Sequence, residues 1–189
     1  MNRTHDQLSD GELAALAKSH DQQAYREFLR RYKAPVFRLI RGTVGDGAEA
    51  LDLTQETFVA AFQAIGRYDG ARPFRVWIAR IALNKCRDWA RRRRVRAFFA
   101  SALPLESANR VASDGPAPDR HAVDTDELAR VQTAMAALPA KLREAIVLCG
   151  VEEMTQQDAA DALGVTVKTV ETRLYRARRR LRALLDQGE

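Results

Sequence analysis

Along most of this chain apolar residues return every three or four positions, the spacing of helices that each bury one stripe. Leu13, Leu16 and Ala17 make the first short stripe, and Asp10 is placed to cap it. His20-Asp21 interrupts, and Ala24, Phe28, Tyr32, Val36 and Ile40 make a longer second stripe. Residues 42–47, GTVGDG, read as a turn. A third helix over roughly 48–65 turns Leu51, Phe58, Phe62 and Ile65 inward, and Gly66 with Asp69-Gly70 ends it. On its other side Asp52, Gln55 and Glu56 share an outward face. A fourth helix begins near Pro73, whose missing N–H suits a first turn. Phe74, Ile78, Ile81, Ala82, Cys86 and Trp89 cluster on one side of it, and Arg80, Asn84, Arg87 and Arg91 recur on the other. Lys85 falls on the apolar side, where its stem can pack while the ammonium reaches out.

Periodicity fails over 97–126. Pro104, Pro116, Pro118 and Gly115 punctuate that stretch, and its acidic residues outnumber its basic ones. The composition is that of a flexible linker, although Phe98-Phe99 is apolar enough to dock. Helical spacing then resumes. Leu128, Val131, Met135 and Leu138 form a stripe stopped by Pro139, and Leu142, Ala145, Ile146 and Cys149 form another stopped by Gly150. Thr155-x-x-Asp158 resembles a capping box, opening a helix with Ala159, Ala160 and Leu163. Gly164 suits a left-handed turn, and Thr166 can cap a last helix built on Val167, Val170, Leu174, Ala177 and Leu181. The expected fold is all-α: two small helical domains, 10–96 and 127–187, joined by a flexible linker over 97–126.

Charge gives these helices a direction. Thirty-one Lys and Arg against 25 Asp and Glu leave a net charge of +6, with a sequence pI near 9.7, which points toward a polyanion. The arginines are concentrated on the fourth and last helices, with four in a row at 91–94. The two cysteines lie far apart and the three histidines are scattered, so neither a disulfide framework nor a metal site is expected. The 12 residues at the start, MNRTHDQLSDGE, lack the apolar core of a signal peptide, and no apolar run approaches the ~20 residues of a membrane span. A cytoplasmic chain is expected.

Helix, glycine-containing turn, helix at 155–182 is a helix-turn-helix, here in the second domain, and its second helix enters the major groove of duplex DNA. The outward residues of that helix are Lys168, Thr169, Glu171, Thr172, Arg173, Tyr175 and Arg176. Guanidinium groups bind guanine edges or phosphates in a fork, and hydroxyls reach either. A small bundle with a solvated basic helix is the plain alternative. An enzyme finds no support: G-x-x-x-x-G-K-[ST], H-E-x-x-H and a Cys/His cluster are all missing from the sequence. No cofactor is expected.

Four motifs together resemble the extracytoplasmic-function (ECF) group of bacterial sigma factors, within the sigma-70 family. Asp52-Leu-Thr-Gln-Glu-Thr-Phe58 is similar to the D-x-x-Q-E-x-F of that family's polymerase-binding helix. Phe74-Arg-Val-Trp77, Ile81-Ala-Leu-Asn84 and Asp88 resemble its −10 element helix. Ala137-Leu-Pro139 with Arg143 resembles the opening of its second domain, and 155–178 resembles its −35 helix-turn-helix. The RPFRVW and LNKCRDWARRRRVR stretches resemble the subset that controls metal resistance.

The resemblance implies roles. Asp52, Gln55, Glu56 and Phe58 would bind core RNA polymerase at the β′ clamp helices, with the β flap as a second contact. Tyr68, Asp69, Gly70 and Ala71 would form a loop closing on a base flipped from the −10 element, read by Asn84. Arg80, Lys85, Arg87, Arg91, Arg92 and Arg93 would track the separated strand. Trp77 would either stack on a base or pack in the core. The outward residues of the last helix would read the −35 element, where Glu171 stands in place of the family's frequent Lys or Arg; glutamate accepts from cytosine N4 and repels phosphate. An anti-sigma factor, often membrane-anchored in this family, is the implied inhibitor, and no obligate homo-oligomer is implied. A plain helix-turn-helix regulator that binds duplex DNA as a dimer is the alternative. It would have no use for the motifs of the first domain.

Overall fold

The computed structural model describes residues 4–102 and 122–186, and every regular element among them is helical. Helices α1 (Asp10–Lys18), α2 (Gln22–Val44), α3 (Gly47–Gln63) and α4 (Phe74–Ala102) form the first half. Helices α5 (Ala122–Ala136), α6 (Ala140–Ile146), α7 (Gln156–Leu163) and α8 (Val167–Asp186) form the second, with one wide π-helical turn, Val147–Val151, after α6. The all-α, two-part architecture is as expected. Of the predicted linker, 97–102 continues α4 and 122–126 begins α5; residues 103–121 lie outside the described residues.

The start of α1 departs from the sequence reading. Ser9 caps it: the Ser9 hydroxyl accepts from the Glu12 N–H at 3.3 Å, and the Glu12 carboxylate accepts from the Ser9 N–H at 2.7 Å. Asp10 is thereby freed to bind Arg31 at 3.0 Å and the Tyr32 hydroxyl. Arg31 also donates to the carbonyls of His5, Asp6 and Leu8, tying the N-terminal segment to α2. Glu27 is nearly covered. Arg30, and then Arg31, hold its carboxyl at about 2, well below the usual carboxylate range.

The stripe of α3 is also rotated from expectation. Leu51 is 51% exposed. The buried line runs through Ala50, Leu53, Thr54, Thr57, Phe58 and Ala61 instead. At about 100° per residue, Leu51 sits at the edge of that line. Its centre is small residues and two threonines, whose hydroxyls donate to the carbonyls of Ala50 and Leu53 at 2.7 Å. A threonine satisfied in this way packs as an apolar residue, so a search weighted to large apolar side chains misplaces the face.

An aromatic cluster centres the first half. Phe74, fully buried, stacks on Phe28 with ring centroids 4.0 Å apart and meets Tyr32, Tyr68 and Trp77 within 5.3 Å. Ile78, Ala82, Cys86 and Trp89 bury the same side of α4 as expected, with Ala79 and Leu83 added. The Trp89 indole donates to Glu49 at 2.7 Å, which pins α4 to α3.

The two halves share one core. Gly42 of α2 lies so close to Val147 that an added Cβ would stand 3.0 Å from its methyl group. Leu148, Met154, Ala159 and Leu163 continue the buried cluster from the second half. Arg143 donates to the Thr43 carbonyl at 2.9 Å, and Arg38 grips Glu152 through two bonds of 3.0 and 3.1 Å. Leu128 and Val131, in the predicted α5 stripe, are exposed; only Ala134 near the end of α5, and Leu138 just beyond it, are buried. Phe98 and Phe99 are both more than half exposed, with their rings edge to face.

Candidate nucleic-acid interface

The 29 residues of α4 reach roughly 44 Å at 1.5 Å per residue, so its far turns project beyond the core. Its start is fixed by the Pro73 carbonyl, which accepts from Val76 and Trp77. The loop before it folds on itself. The Asp69 carboxylate accepts from the Ala71 N–H at 3.0 Å, its carbonyl accepts from Arg72, and the Tyr68 hydroxyl donates to the Arg72 carbonyl. Helix α1 holds this loop from behind: Lys18 donates to the Tyr68 carbonyl at 3.1 Å, and Gly11 packs against the Gly70 backbone.

Loop and helix enclose a cleft of about 410 Å³, lined by Arg67, Tyr68, Asp69, Arg72, Pro73, Val76, Trp77 and Arg80, with Asp161 of α7 on its far wall. Cationic and aromatic side chains line most of this cleft, a chemistry that takes a flat, anionic guest. Tyr68 is 3% exposed, and burial pushes its phenol up to about 12; it lines the cleft as a neutral ring. Trp77 packs on Tyr68 at 5.1 Å and also lines the cleft. Asp69, Gly70 and Ala71 are exposed at the rim. Asn84 is not among the lining residues: it lies one turn beyond Arg80, exposed, with its carbonyl accepting from Arg87 at 3.2 Å. The predicted single pocket of loop and Asn84 is therefore two adjacent places.

The basic residues of α4 are mostly paired. Arg87 forms two bonds of 2.8 Å with Glu144 of α6, Lys85 reaches Glu56 of α3 at 3.4 Å, and Arg91 pairs with Asp88. Arg93 stands over the Trp89 ring at 5.3 Å. Arg80 and Arg92 are exposed. Cys86 is buried beneath them, and burial, with Glu144 nearby, pushes its thiol up to about 12.

On α3 the exposed face carries Asp52, Gln55 and Glu56 as predicted, together with Leu51 and Val59, which sequence reasoning missed. Their signal was available: large apolar residues on an otherwise polar face. Phe58, predicted to touch a partner, is 4% exposed and belongs to the core, where it meets Phe62 at 5.8 Å. It can support that face and cannot form it.

Helix α8 follows α7 through Gly164, in the left-handed region at φ +68°. Thr155 makes the hydroxyl half of the predicted cap, accepting from Asp158 at 3.0 Å, and Thr166 accepts from Thr169 at 3.3 Å. Val170, Leu174 and Ala177 are buried. Lys168, Glu171, Thr172, Tyr175 and Arg176 are exposed, while Thr169 and Arg173 are half-buried. Glu171 pairs with Lys168 at 3.0 Å, which offsets its charge near the start of the helix. Farther along, Arg176, Arg179 and Arg180 form a basic groove with Leu142 of α6. Among the described residues no group of three or more His, Cys, Asp or Glu is placed to hold a metal ion, and no helix is long and apolar enough to cross a membrane.

Residues 28–96 match the family described as Sigma-70 region 2, and residues 128–181 match Sigma-70, region 4. The chain is 42% identical over 181 residues to the RNA polymerase sigma factor CnrH of Cupriavidus metallidurans, covering 94% of this chain and 95% of that protein. It is 31% identical to the ECF RNA polymerase sigma factor SigW of Bacillus subtilis, over 89% of this chain and 92% of that one. The solved structure of CnrH in complex with the cytosolic domain of CnrY is similar at a TM-score of 0.72 and 36% identity, covering 95% of this chain and 99% of that chain.

Proposed function

This chain belongs to the ECF group of sigma-70 RNA polymerase sigma factors, and from that membership we propose how its surfaces divide the work. It directs core RNA polymerase to specific promoters and aids promoter opening at the start of transcription. The exposed face of α3, with Asp52, Gln55 and Glu56 flanked by Leu51 and Val59, takes the β′ clamp helices of core polymerase, and the second half takes the β flap. The cleft between the 68–71 loop and α4 holds a base extruded from the −10 element, with Trp77 and Tyr68 as its apolar walls. Asn84 reads a neighbouring edge of that element. Arg80, Lys85, Arg87, Arg91, Arg92 and Arg93 track the strand. On α8, Lys168, Thr169, Glu171, Thr172, Arg173, Tyr175 and Arg176 read the −35 element in the major groove.

The domains serving these tasks span 10–96 and 127–187. Nucleotide addition stays with the polymerase, so the chain itself is no enzyme, and it works in the cytoplasm. A protein with a cytosolic domain is the inhibitor, as CnrY binds the similar CnrH. A metal-resistance regulon is the reading of the RPFRVW and LNKCRDWARRRRVR stretches.

One observation carries the proposal: Lys85 of the strand-facing helix pairs at 3.4 Å with Glu56 of the polymerase-facing helix, so the two faces adjoin. A promoter strand and a polymerase surface can therefore be held side by side. The test is a pull-down with core polymerase. The wild-type chain should be retained, and Asp52→Ala with Glu56→Ala should reduce retention at least tenfold; an unchanged pull-down of the double variant overturns the assignment of that face.

A further inference from the structure

A second cleft, of about 540 Å³, opens where the end of α2, the middle of α4 and the start of α6 meet. It shares no lining residue with the cleft of Tyr68 and Trp77. Its volume is that of a small-molecule site. Small side chains, Ala90, Ala136 and Ala140, leave the room beside Trp89. The Trp89 ring is a fixed wall, because its indole N–H donates to Glu49 at 2.7 Å. Four arginines and one carboxylate also line the cleft: Arg87, Arg93, Arg94, Arg143 and Glu144. Arg87 and Glu144 answer each other through two bonds of 2.8 Å, which leaves three cations with no carboxylate of their own among the described residues. Arg93 stands over the Trp89 ring, and Arg94 donates to the Ala90 carbonyl of its own helix at 3.4 Å. Arg143 is less well served. Its Nη1 and Nη2 donate to the carbonyls of Thr43, Ala136 and Leu138, while its Nε is buried without a hydrogen-bond partner. Burial draws the Arg143 pKa down, against the opposing pull of Glu144. An anion in the cleft would relieve that cost.

We propose that this cleft binds a small amphipathic anion, a flat apolar ring system bearing a carboxylate or sulfonate, with its ring on Trp89 and its head group among Arg93, Arg94 and Arg143. A planar carboxylate matches the fork of a guanidinium. The ring supplies the apolar half, since an aromatic wall flanked by alanines is covered best by a flat guest. An inorganic anion would leave that wall wet. A nucleotide would bring sugar hydroxyls and base amides to a surface with few polar partners; the Thr43 hydroxyl in the wall already donates to the Leu39 carbonyl at 2.8 Å. Arg94 and Arg143 have no part in the reading of promoter DNA, so the site stands apart from the sigma-factor assignment.

The test titrates anilinonaphthalene sulfonate, whose fluorescence rises in apolar surroundings, into the full-length chain. Naphthoate, deoxyadenosine monophosphate and inorganic sulfate are then added as competitors. Wild type should bind the probe saturably at about one equivalent, and naphthoate should displace it. Ala136→Leu narrows the cleft and should weaken binding about tenfold. Arg94→Gln removes one cation and should weaken it about three- to fivefold. Arg179→Gln removes the same charge from the groove of α8 and should change nothing. All three positions are exposed, so the variants fold, and their urea midpoints should match wild type. Binding that does not saturate, that is equal in Ala136→Leu and Arg94→Gln, or that falls as far in Arg179→Gln overturns the proposal. So does sulfate displacing the probe as well as naphthoate, since the apolar wall would then have no role. Displacement by deoxyadenosine monophosphate at lower concentration than naphthoate also overturns it, and assigns the cleft to nucleic acid.

Discussion

On α4 two of the cations reach to other elements, Arg87 to Glu144 on α6 and Lys85 to Glu56 on α3, while Arg91 and Arg93 stay with Asp88 and Trp89 of their own helix. On α8 the outward side chains bond along their own helix, Lys168 to Glu171 and Thr172 to the Lys168 carbonyl. The two helices have similar chemistry, arginine-rich with one buried apolar stripe, yet α4 pairs two of its cations across the fold while the polar face of α8 bonds along itself. The difference teaches that charge composition describes what a helix can bind, while its partners in the fold decide when it is available.

The most disruptive way to break this comparison is to remove the scaffold of α4. Phe74→Ala deletes the ring at the centre of the aromatic cluster and should cost about 3–5 kcal/mol, read from the urea midpoint. Promoter opening should fall with it, since Tyr68 and Trp77 lose their backing. A milder contrast sets Arg87→Ala against Arg176→Ala. The first strands Glu144 at the seam and should destabilise by about 1–2 kcal/mol, discounted because Arg87 is itself 43% exposed. The second should leave stability within about 0.5 kcal/mol and lower the salt slope of duplex binding by about 1. If both cost the same stability, the distinction between a tied and a free helix fails.

Smaller still, Gly164→Ala meets both the positive φ and the Arg80 side chain and should cost about 1 kcal/mol. Its effect on −35 binding should exceed that of a surface alanine, since the turn aims α8. The least effect concerns acid. Glu27 is held at about 2 against an ordinary value of 4.5, so its contribution is fully present above about pH 4.5 and is lost as the pH falls toward 2. Urea midpoints at pH 5 and pH 3 should show that loss in wild type and not in Glu27→Gln. Because the clasp joins α2 to the N-terminal segment, α4 and α8 should be equally indifferent to it.

Much of this molecule was legible in the chain. The stripes of α2, α4 and α8 came out as spaced, and Gly164 took the left-handed turn its position required. Where the sequence reading slipped, the cause was physical. Ser9, not Asp10, caps α1, and Asp10 binds a distant arginine and tyrosine instead. Leu51 faced out because small residues and back-bonded threonines made the true stripe of α3. Asn84 and the 68–71 loop looked like one pocket because they flank one helix, but a helical turn separates them along it.

The sequence by itself determined the helices, the turn chemistry, the basic faces and, through four motifs, the family. All of these depend on residues within a few turns of each other, where the 3.6-residue period fixes which side chains share a face. Only the tertiary structure decided that Arg87 meets Glu144, 57 residues away, and that Arg38 meets Glu152, 114 residues away. No spacing rule reaches across such intervals, because those contacts depend on how two finished surfaces pack. The packing of the second half against α2 and α4 is therefore a property of the fold, although the surfaces that meet in it could each be read from the chain.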